Sequence, residues 1–331
     1  DALKSNTTGT QNDAFGYTAM TANTTGNYNA AFGSLSAVSL NGGSRNTFCG
    51  NSAGSGLTTG SDNVFLGYKA GNSTTTADNN VAIGKEALYV NTTGAANVAI
   101  GREAAHDQTT GSNNVHVGYY AGGFRTAGDN NVGIGQEAGR GASTSSPATG
   151  SNNTCVGRGA GEDIRSGDYN LLLGANAGKS ASPSGTISTQ TGIVVLGDNN
   201  ITELYCADTS ISSSDSRDKT DITDFTKGLD WIKALRPITY RWDKRSWYGT
   251  DENPMGTPDG SKKRSQLHIG FLAQEALAVE QANGYGSSND DSLCINLTAD
   301  GTQYGMKYER LVPILVNAIK ELEARLSALE G

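Results

Sequence analysis

Asn80-Val81-Ala82-Ile83-Gly84-Lys85-Glu86-Ala87 returns 17 residues later as Asn97-Val98-Ala99-Ile100-Gly101-Arg102-Glu103-Ala104. That pair exposes a period, and the period decides the fold. Gly16, Gly33, Gly50, Gly67, Gly84, Gly101, Gly118 and Gly135 all stand 17 residues apart. Gly157 and Gly174 continue the series after a step of 22, and Gly197 closes it after a step of 23. The two long steps read as loop insertions near Ser143–Thr149 and Ala181–Thr189. Each near-copy ends in a turn such as Thr92-Thr93-Gly94 or Thr109-Thr110-Gly111. Self-similarity at a fixed period has to be recognised before any single element is assigned.

Within a unit, Val81 and Ile83 flank the small Ala82, which reads as a short strand with one apolar face. The following glycine and the Thr-Thr-Gly supply positive-φ or tight-turn positions. The expected rung is a coil of two short strands and two turns in a β-solenoid. Each rung offers only two or three side chains for burial. Stacking covers a neighbour's backbone and apolar face, yet a lone chain keeps a thin core. That shortage favours several chains around one core, and the expectation is a trimer. Asn80, Asn97, Asn114 and Asn131 fall at one rung position, so their amides are expected to form a ladder.

Composition bounds the function. The chain has 331 residues, room for more than one domain, and a net charge of −8. Before Ser214 there are 15 acids against 10 bases, and from there on 18 against 15. Phosphate binding needs a clustered basic face, and the only dense run, Lys262-Lys263-Arg264, reads as a solvated loop; no nucleic-acid partner is expected. No stretch reaches the ~20 apolar residues of a membrane helix, so no membrane insertion is expected. His106, His116 and His268 are scattered, and the four cysteines (Cys49, Cys155, Cys206, Cys294) have no metal spacing, so neither metal nor cofactor is expected. Cys49 and Cys155 replace apolar strand residues and read as small packing residues. Gly133-Ile134-Gly135-Gln136-Glu137-Ala138 matches a dinucleotide-binding pattern but is one more repeat, with no helix following. The Asn-x-Thr triplets at Asn6, Asn23 and Asn91 are products of the turns. The opening on Asp1, partway into a repeat, reads as the C-terminal piece of a longer protein.

From Asp215 the style changes, and all three tryptophans lie beyond it. Phe225, Leu229, Ile232 and Leu235 fit an amphipathic helix ending before Pro237. Ile238, Tyr240 and Trp242 alternate as a strand, 244–266 reads as an exposed loop, and His268–Glu275 opens a second strand-to-helix element. Val312, Ile319 and Leu326 share one heptad position, while Leu315, Leu322 and Leu329 share another. That spacing suits a two- or three-stranded coiled coil, and equally a helix packed on its own domain. The fold expectation is therefore mainly β: a trimeric β-solenoid or β-roll shaft over 1–205, a linker over 206–213, and a small α+β domain over 214–331 that ends in a coiled-coil helix, 309–330.

Two resemblances attach to these residues. The shaft units, over about residues 10–200, resemble the Asn-x-Val-Ala-Ile-Gly repeats in the heads of trimeric autotransporter adhesins and similar runs in phage tail fibres. This implies a trimeric β-roll that displays loops outward. Four blocks of the tail are Ser-Asp-x-Arg-x-Lys from Ser214; Leu229-x-x-Ile232-x-x-Leu235-x-Pro237-Ile238-x-Tyr240-x-Trp242; Gly270-Phe271-x-Ala273-Gln274-Glu275; and Tyr308-x-x-Leu311-x-Pro313 through Leu322. Together they resemble the endosialidase-type intramolecular chaperone, the self-cleaving S74 peptidase domain of phage tail spikes and fibres, across 212–331. The resemblance implies a domain that trimerises the nascent fibre, helps it fold, and then cuts itself off. It makes Ser214 the nucleophile, Lys219 the base and Ser213–Ser214 the bond broken. Arg217 is then placed to depress the lysine pKa or to orient Asp215. The Ser214 hydroxyl has two routes: the preceding carbonyl by an N→O acyl shift, or the same bond of a neighbouring chain. Asp218 stands where relatives carry an apolar residue, and an acid there keeps Lys219 protonated and slows cleavage.

The functional expectation is a phage tail-fibre protein, a homotrimer made in the host cytoplasm and carried on the virion. Its partners would be a host-surface glycan or protein receptor and, through an N-terminal region outside this sequence, the phage tail or baseplate. The alternatives are a bacterial or other surface adhesin or spacer with the same chaperone, or a glycan-degrading tail spike. Glu86, Glu103 and Glu137 recur at one repeat position; glycosidases need a carboxylate pair, but repetition reads as a solvated stripe, so no shaft enzyme is expected. Tyr119, Tyr120 and Phe124 form the shaft's aromatic cluster and are the candidate glycan contact. A tyrosine filling a repeat position, as Tyr68 does, is the plainer reading.

Overall fold

The computed structural model describes residues 1–142, 148–201, 216–250, 253, 255–298 and 303–330. The chain divides into two compact units, Asp1–Asp198 and Asn199–Gly331.

The first unit is a parallel β-solenoid. Its described residues hold eleven three-residue strands, from Asp13–Phe15 to Val194–Leu196, each bonded to the next in chain order. Register follows the sequence period, with Val81 opposite Val98, Ala82 opposite Ala99 and Ile83 opposite Ile100. Each rung contributes one strand, not the two expected. In place of the second, alternate residues take positive φ, as at Glu86 (56°) and Leu88 (53°). Glu86 N–H donates back to Tyr68 C=O at 2.9 Å, whereas Leu88 N–H donates forward to Ala104 C=O at 2.9 Å. Rung-to-rung bonding thus continues without an extended pleat. Val and Ile, which fit left-handed backbone worst, never occupy these positions among the described residues.

The buried strand face is also the reverse of the expected one. Ala82 and Ala99 point inward and are fully buried, while Val81 and Ile83 are only half-buried. The reason is steric: the coil is narrow. Where Phe48 and Phe65 do point inward, a glycine faces each; a methyl at Gly54 would sit 2.4 Å from the Phe48 ring, and one at Gly71 2.5 Å from Phe65. The Val/Ile face therefore forms an outward apolar stripe along the sheet, ending in exposed Phe15 and Val194. Cys49 lies on that stripe and is exposed, so it is not a core residue; Cys155 points inward and is buried, as expected.

The asparagine ladder exists and is longer than the four members expected. Asn46 Nδ2 donates to Asn29 Oδ1 and Asn63 Nδ2 to Asn46 Oδ1, both at 3.0 Å. The same contact links Asn97 to Asn80, Asn131 to Asn114 and Asn170 to Asn153. Each amide also serves backbone: Asn46 Nδ2 donates to Gly60 C=O at 2.9 Å, and its Oδ1 accepts Asn63 N–H at 2.9 Å. The ladder amides are thereby paired where they are buried.

The second unit packs three helices, α1 (Leu229–Ala234), α2 (Ala273–Ala282) and α3 (Leu311–Glu330), with two antiparallel ribbons. Ile238–Tyr240 pairs with His268–Gly270, and Ile295–Leu297 with Tyr304–Met306. Trp231, Ala276, Cys294, Ile295, Leu311 and Ile314 form its core. α1 is shorter than its spacing suggests: Phe225 precedes it, and Leu235 is already extended ahead of Pro237. Trp242 lies beyond the strand that ends at Tyr240. The expected loop holds a 3-10 turn, Arg245–Tyr248, whose Trp247 ring lies under Arg264 at 5.0 Å. α3 packs on its own unit by one face and leaves the heptad face uncovered. Leu311, Ile314 and Ala318 are buried in the unit, while the heptad positions Ile319 (64 % exposed), Leu322 (51 %) and Leu326 (56 %) face outward.

Asn63→Ala should lower the thermal midpoint of the shaft, because it strands the Asn80 N–H and removes the amide donor from Ala77 C=O. A buried group left unpaired costs about 1–3 kcal/mol. Circular dichroism of parent and variant measures it; an unchanged midpoint would mean that the ladder carries no stability.

Candidate functional site

Ser213, Ser214 and Asp215 lie outside the described residues. Immediately after them Ser216–Asp218 forms a single 3-10 turn, closed by Lys219 N–H donating to Ser216 C=O at 3.3 Å. Arg217 and Lys219 are thus brought to one turn, and both are exposed. A lysine serves as general base when burial or a nearby cation disfavours its charge. Within its own chain Lys219 has no burial, and Arg217 is the cation at hand.

Behind the turn, α1 is held by α3. Glu321 Oε1 accepts Leu229 N–H at 3.3 Å, supplying a cap that Gly228 has no side chain to provide. Asn317 Nδ2 donates to Phe225 C=O at 2.6 Å and to Lys227 C=O at 3.2 Å. The contact requires Gly228, since a methyl there would lie 2.3 Å from Glu321 Oε1 and 2.8 Å from Ala318 N. Elsewhere Tyr308 Oη accepts Phe271 N–H at 3.2 Å, and Gly270 leaves the room, so the third and fourth sequence blocks meet. Glu280 is buried and accepts the N–H groups of Leu293 and Cys294 and the Ser292 hydroxyl. Burial, then the Glu280 charge, push the Cys294 thiol up to about 11, which makes it inert.

On the shaft the structure brings Tyr119, Tyr120 and Phe124 together, with centroids 5.7 Å and 5.1 Å apart. They end a longer column that sequence reasoning missed. Tyr89 stacks on His106 at 5.1 Å, and His106 on Tyr120 at 6.5 Å. Lys69 lies over Tyr89, Arg102 over Tyr119 and Arg140 over Phe124. The signal was available: Tyr89 and His106 stand one period apart. The three recurrent glutamates are not a solvated stripe. Glu86, Glu103 and Glu137 pair with Lys85, Arg102 and Arg140 at 3.5, 3.0 and 3.1 Å, and their side chains are largely buried. Gly133 and Ile134 lie in a strand that runs into a turn, not a helix. Among the described residues no group of three metal-binding side chains occurs, and no helix is long and apolar enough to cross a membrane.

The family model Peptidase_S74, chaperone of endosialidase, matches residues 214–285. The match opens on Ser214 and takes in the first three sequence blocks; the fourth, from Tyr308, lies beyond it. No curated protein and no solved structure matches the chain. Residues 214–285 are thus similar to the chaperone of endosialidase, a family of autoproteolytic peptidases in general, and follow a parallel β-solenoid. That combination fits a tail-fibre-like trimeric protein.

Gly228→Ala should loosen the α1–α3 contact and cost about 2 kcal/mol or more. All three tryptophans lie in this unit, so tryptophan fluorescence during urea unfolding reports on it alone. An unchanged midpoint would mean that α1 is not anchored by α3.

Proposed function

We propose that this chain is the distal part of a phage tail fibre: a homotrimeric shaft made competent by a chaperone that trimerises it and then cuts itself off between Ser213 and Ser214. One observation carries the reading. A chain that matches the chaperone-of-endosialidase model from Ser214 onward turns an apolar face outward on each unit, the Val/Ile stripe of the shaft and the heptad seam of α3. Exposed contiguous apolar faces of this kind mark interaction surfaces. A second and third copy of the same chain present the same seam, as a coiled coil requires.

In this reading the Ser214 hydroxyl attacks the carbonyl of Ser213, in its own or a neighbouring chain, and Lys219 takes the hydroxyl proton and returns one to the leaving Ser214 amine. A water molecule then hydrolyses the resulting Ser213 ester, freeing the Ser213 carboxylate and the Ser214 hydroxyl. In the trimer neighbouring copies cover the exposed Lys219 turn, the kind of burial under which a lysine serves as general base. Cleavage is then coupled to assembly. Arg217 adds its charge on the same turn, and Asp215 orients the nucleophile. The fibre is made in the host cytoplasm, joins the tail or baseplate and ends on the virion. The Tyr119–Tyr120–Phe124 end of the aromatic column contacts a host-surface glycan or protein. A glycan-degrading role is disfavoured, because Glu86, Glu103 and Glu137 are each neutralised by a cation.

Intact mass under denaturing conditions tests the chemistry. The parent should give fragments 1–213 and 214–331 whose masses sum to the chain plus one water, whereas Ser214→Ala and Lys219→Ala should remain whole. A Ser214→Ala protein that still splits sinks the assignment. Leu322→Asp places a charge on the α3 seam and should abolish the trimer by light scattering and slow cleavage at least ~10-fold, since a desolvated charge in such a seam costs more than one tenfold step. A trimer that survives it would free the seam from any role in assembly.

A further inference from the structure

We propose that the free end of α3 is a parallel docking surface for two more copies of this chain, with Arg325 of each copy ion-paired to Glu330 of the neighbouring copy. The proposal rests on the homotrimer of the preceding section and names the contact that orients it. The reasoning starts from what α3 leaves uncovered. Leu311, Ile314 and Ala318 bury its first half in the unit, and Asn317 and Glu321 bond the chain around α1. From Leu322 to Glu330 every residue is exposed. The apolar side chains of that stretch, Leu322, Leu326 and Leu329, are 51–85 % exposed. A helical stretch this short is marginal in water without packing. Its own unit supplies none.

The charges beside the seam select the occupant and its direction. Val312, Ile319 and Leu326 stand at heptad position a, and Leu315, Leu322 and Leu329 at position d. Position e then holds Val316, Glu323 and Glu330, and position g holds Leu311, Ala318 and Arg325. Residues at e and g form the interhelical ion pairs that set partner and orientation in a coiled coil. Between parallel helices a g residue meets the e residue of the next heptad on its neighbour, which brings Arg325 to Glu330. Antiparallel helices set e against e and g against g. That places acid against acid and leaves Arg325 without an acidic partner, an unfavourable juxtaposition. The seam is therefore complementary to another copy of itself running in the same direction.

Both groups are available for this contact. Among the described residues neither Arg325 nor Glu330 forms an ion pair within its own chain, whereas Arg236 pairs with Glu275 and Glu321 is committed to Leu229 N–H. A lipid surface is a poorer occupant of the same seam. Helices that lie on membranes carry a polar face rich in lysine and arginine. The polar positions here hold Lys320, Glu321, Glu323, Arg325 and Glu330, with acids in the majority.

The test uses the full chain carrying Ser214→Ala, so that the tail stays attached, refolded from urea over a range of chain concentrations. Light scattering reads the mass. Arg325→Glu should raise the concentration at which half the chains are trimeric by about 10-fold, because three exposed ion pairs, each weak alone, become three repulsions. Glu330→Arg should do the same. The double exchange, Arg325→Glu with Glu330→Arg, should return the midpoint to that of the unexchanged chain. In 1 M salt, where the screening length falls to about 3 Å, the difference between single and double variants should close. A chain that is monomeric at every concentration, or that forms antiparallel dimers of twice the chain mass, refutes the homotrimer and this contact with it. A trimer that either single exchange leaves unchanged, or that the double exchange does not restore, overturns the contact while the trimer stands.

Discussion

The constraint on which this molecule depends is the narrowness of its coil. Seventeen residues close a loop whose interior admits only a few side chains per layer, mostly small, which is why Ala82, Ala87 and Leu88 fill one rung and why Phe48 and Phe65 each face a glycine. Burial stabilises by about 25 cal/mol per Å² of apolar surface, and an alanine core offers little of that surface. The larger apolar side chains must then go to the outside of the coil, where Val81, Ile83 and their counterparts stand. A solenoid built this way is incomplete by design. Its best apolar surface can be buried only by something other than itself.

The inner polar chemistry compensates in part. The asparagine ladder pairs amide with amide and with backbone on successive rungs, so the backbone is satisfied whatever the neighbouring residues are. The ladder also tolerates the first insertion: Asn153 donates to Asn131 at 3.2 Å across the longer step. The ladder keeps its register across that step. A parallel stack held in this way separates what carries the fold, asparagine and glycine at fixed positions, from what is free to vary on the surface. The Tyr89–His106–Tyr120 column occupies that free surface.

The period, the ladder and the heptad were legible because each is a spacing, and spacing survives in one dimension. What failed is also physical. Alternation at Val81-Ala82-Ile83 marks two faces of a strand but does not say which is inside; hydrophobicity pointed to the valine face, and the coil's radius decided otherwise. Cys49 was misplaced by the same inversion, while Cys155, one strand position earlier in its rung, was placed correctly. The second strand was misread because alternate left-handed residues at Glu86 and Leu88 keep rung-to-rung bonding with no strand signature. At the tail, resemblance led to Ser214 and Lys219, while geometry showed something that sequence did not: Lys219 is exposed in its own chain.

Near-identity of the rungs creates a further difficulty that a chaperone resolves. If three stripes of Val and Ile meet, a chain displaced by one rung sets Val98 where Val81 belongs and Ile100 where Ile83 belongs, with almost the same contacts. Register is strongly specified only where a slip changes the surface that is buried, and a slip of a whole period changes little. Specificity against such alternatives has to come from elements that do not repeat. Within the shaft the steps of 22 and 23 residues are such elements. At the C-terminal end the α3 seam is too short to slip without losing a large part of its contacts, since its heptad positions run only from Val312 to Leu329. In the proposed trimer, alignment of the ends would therefore have to precede zipping of the shaft, and a closed shaft would need no further contact from the aligning device.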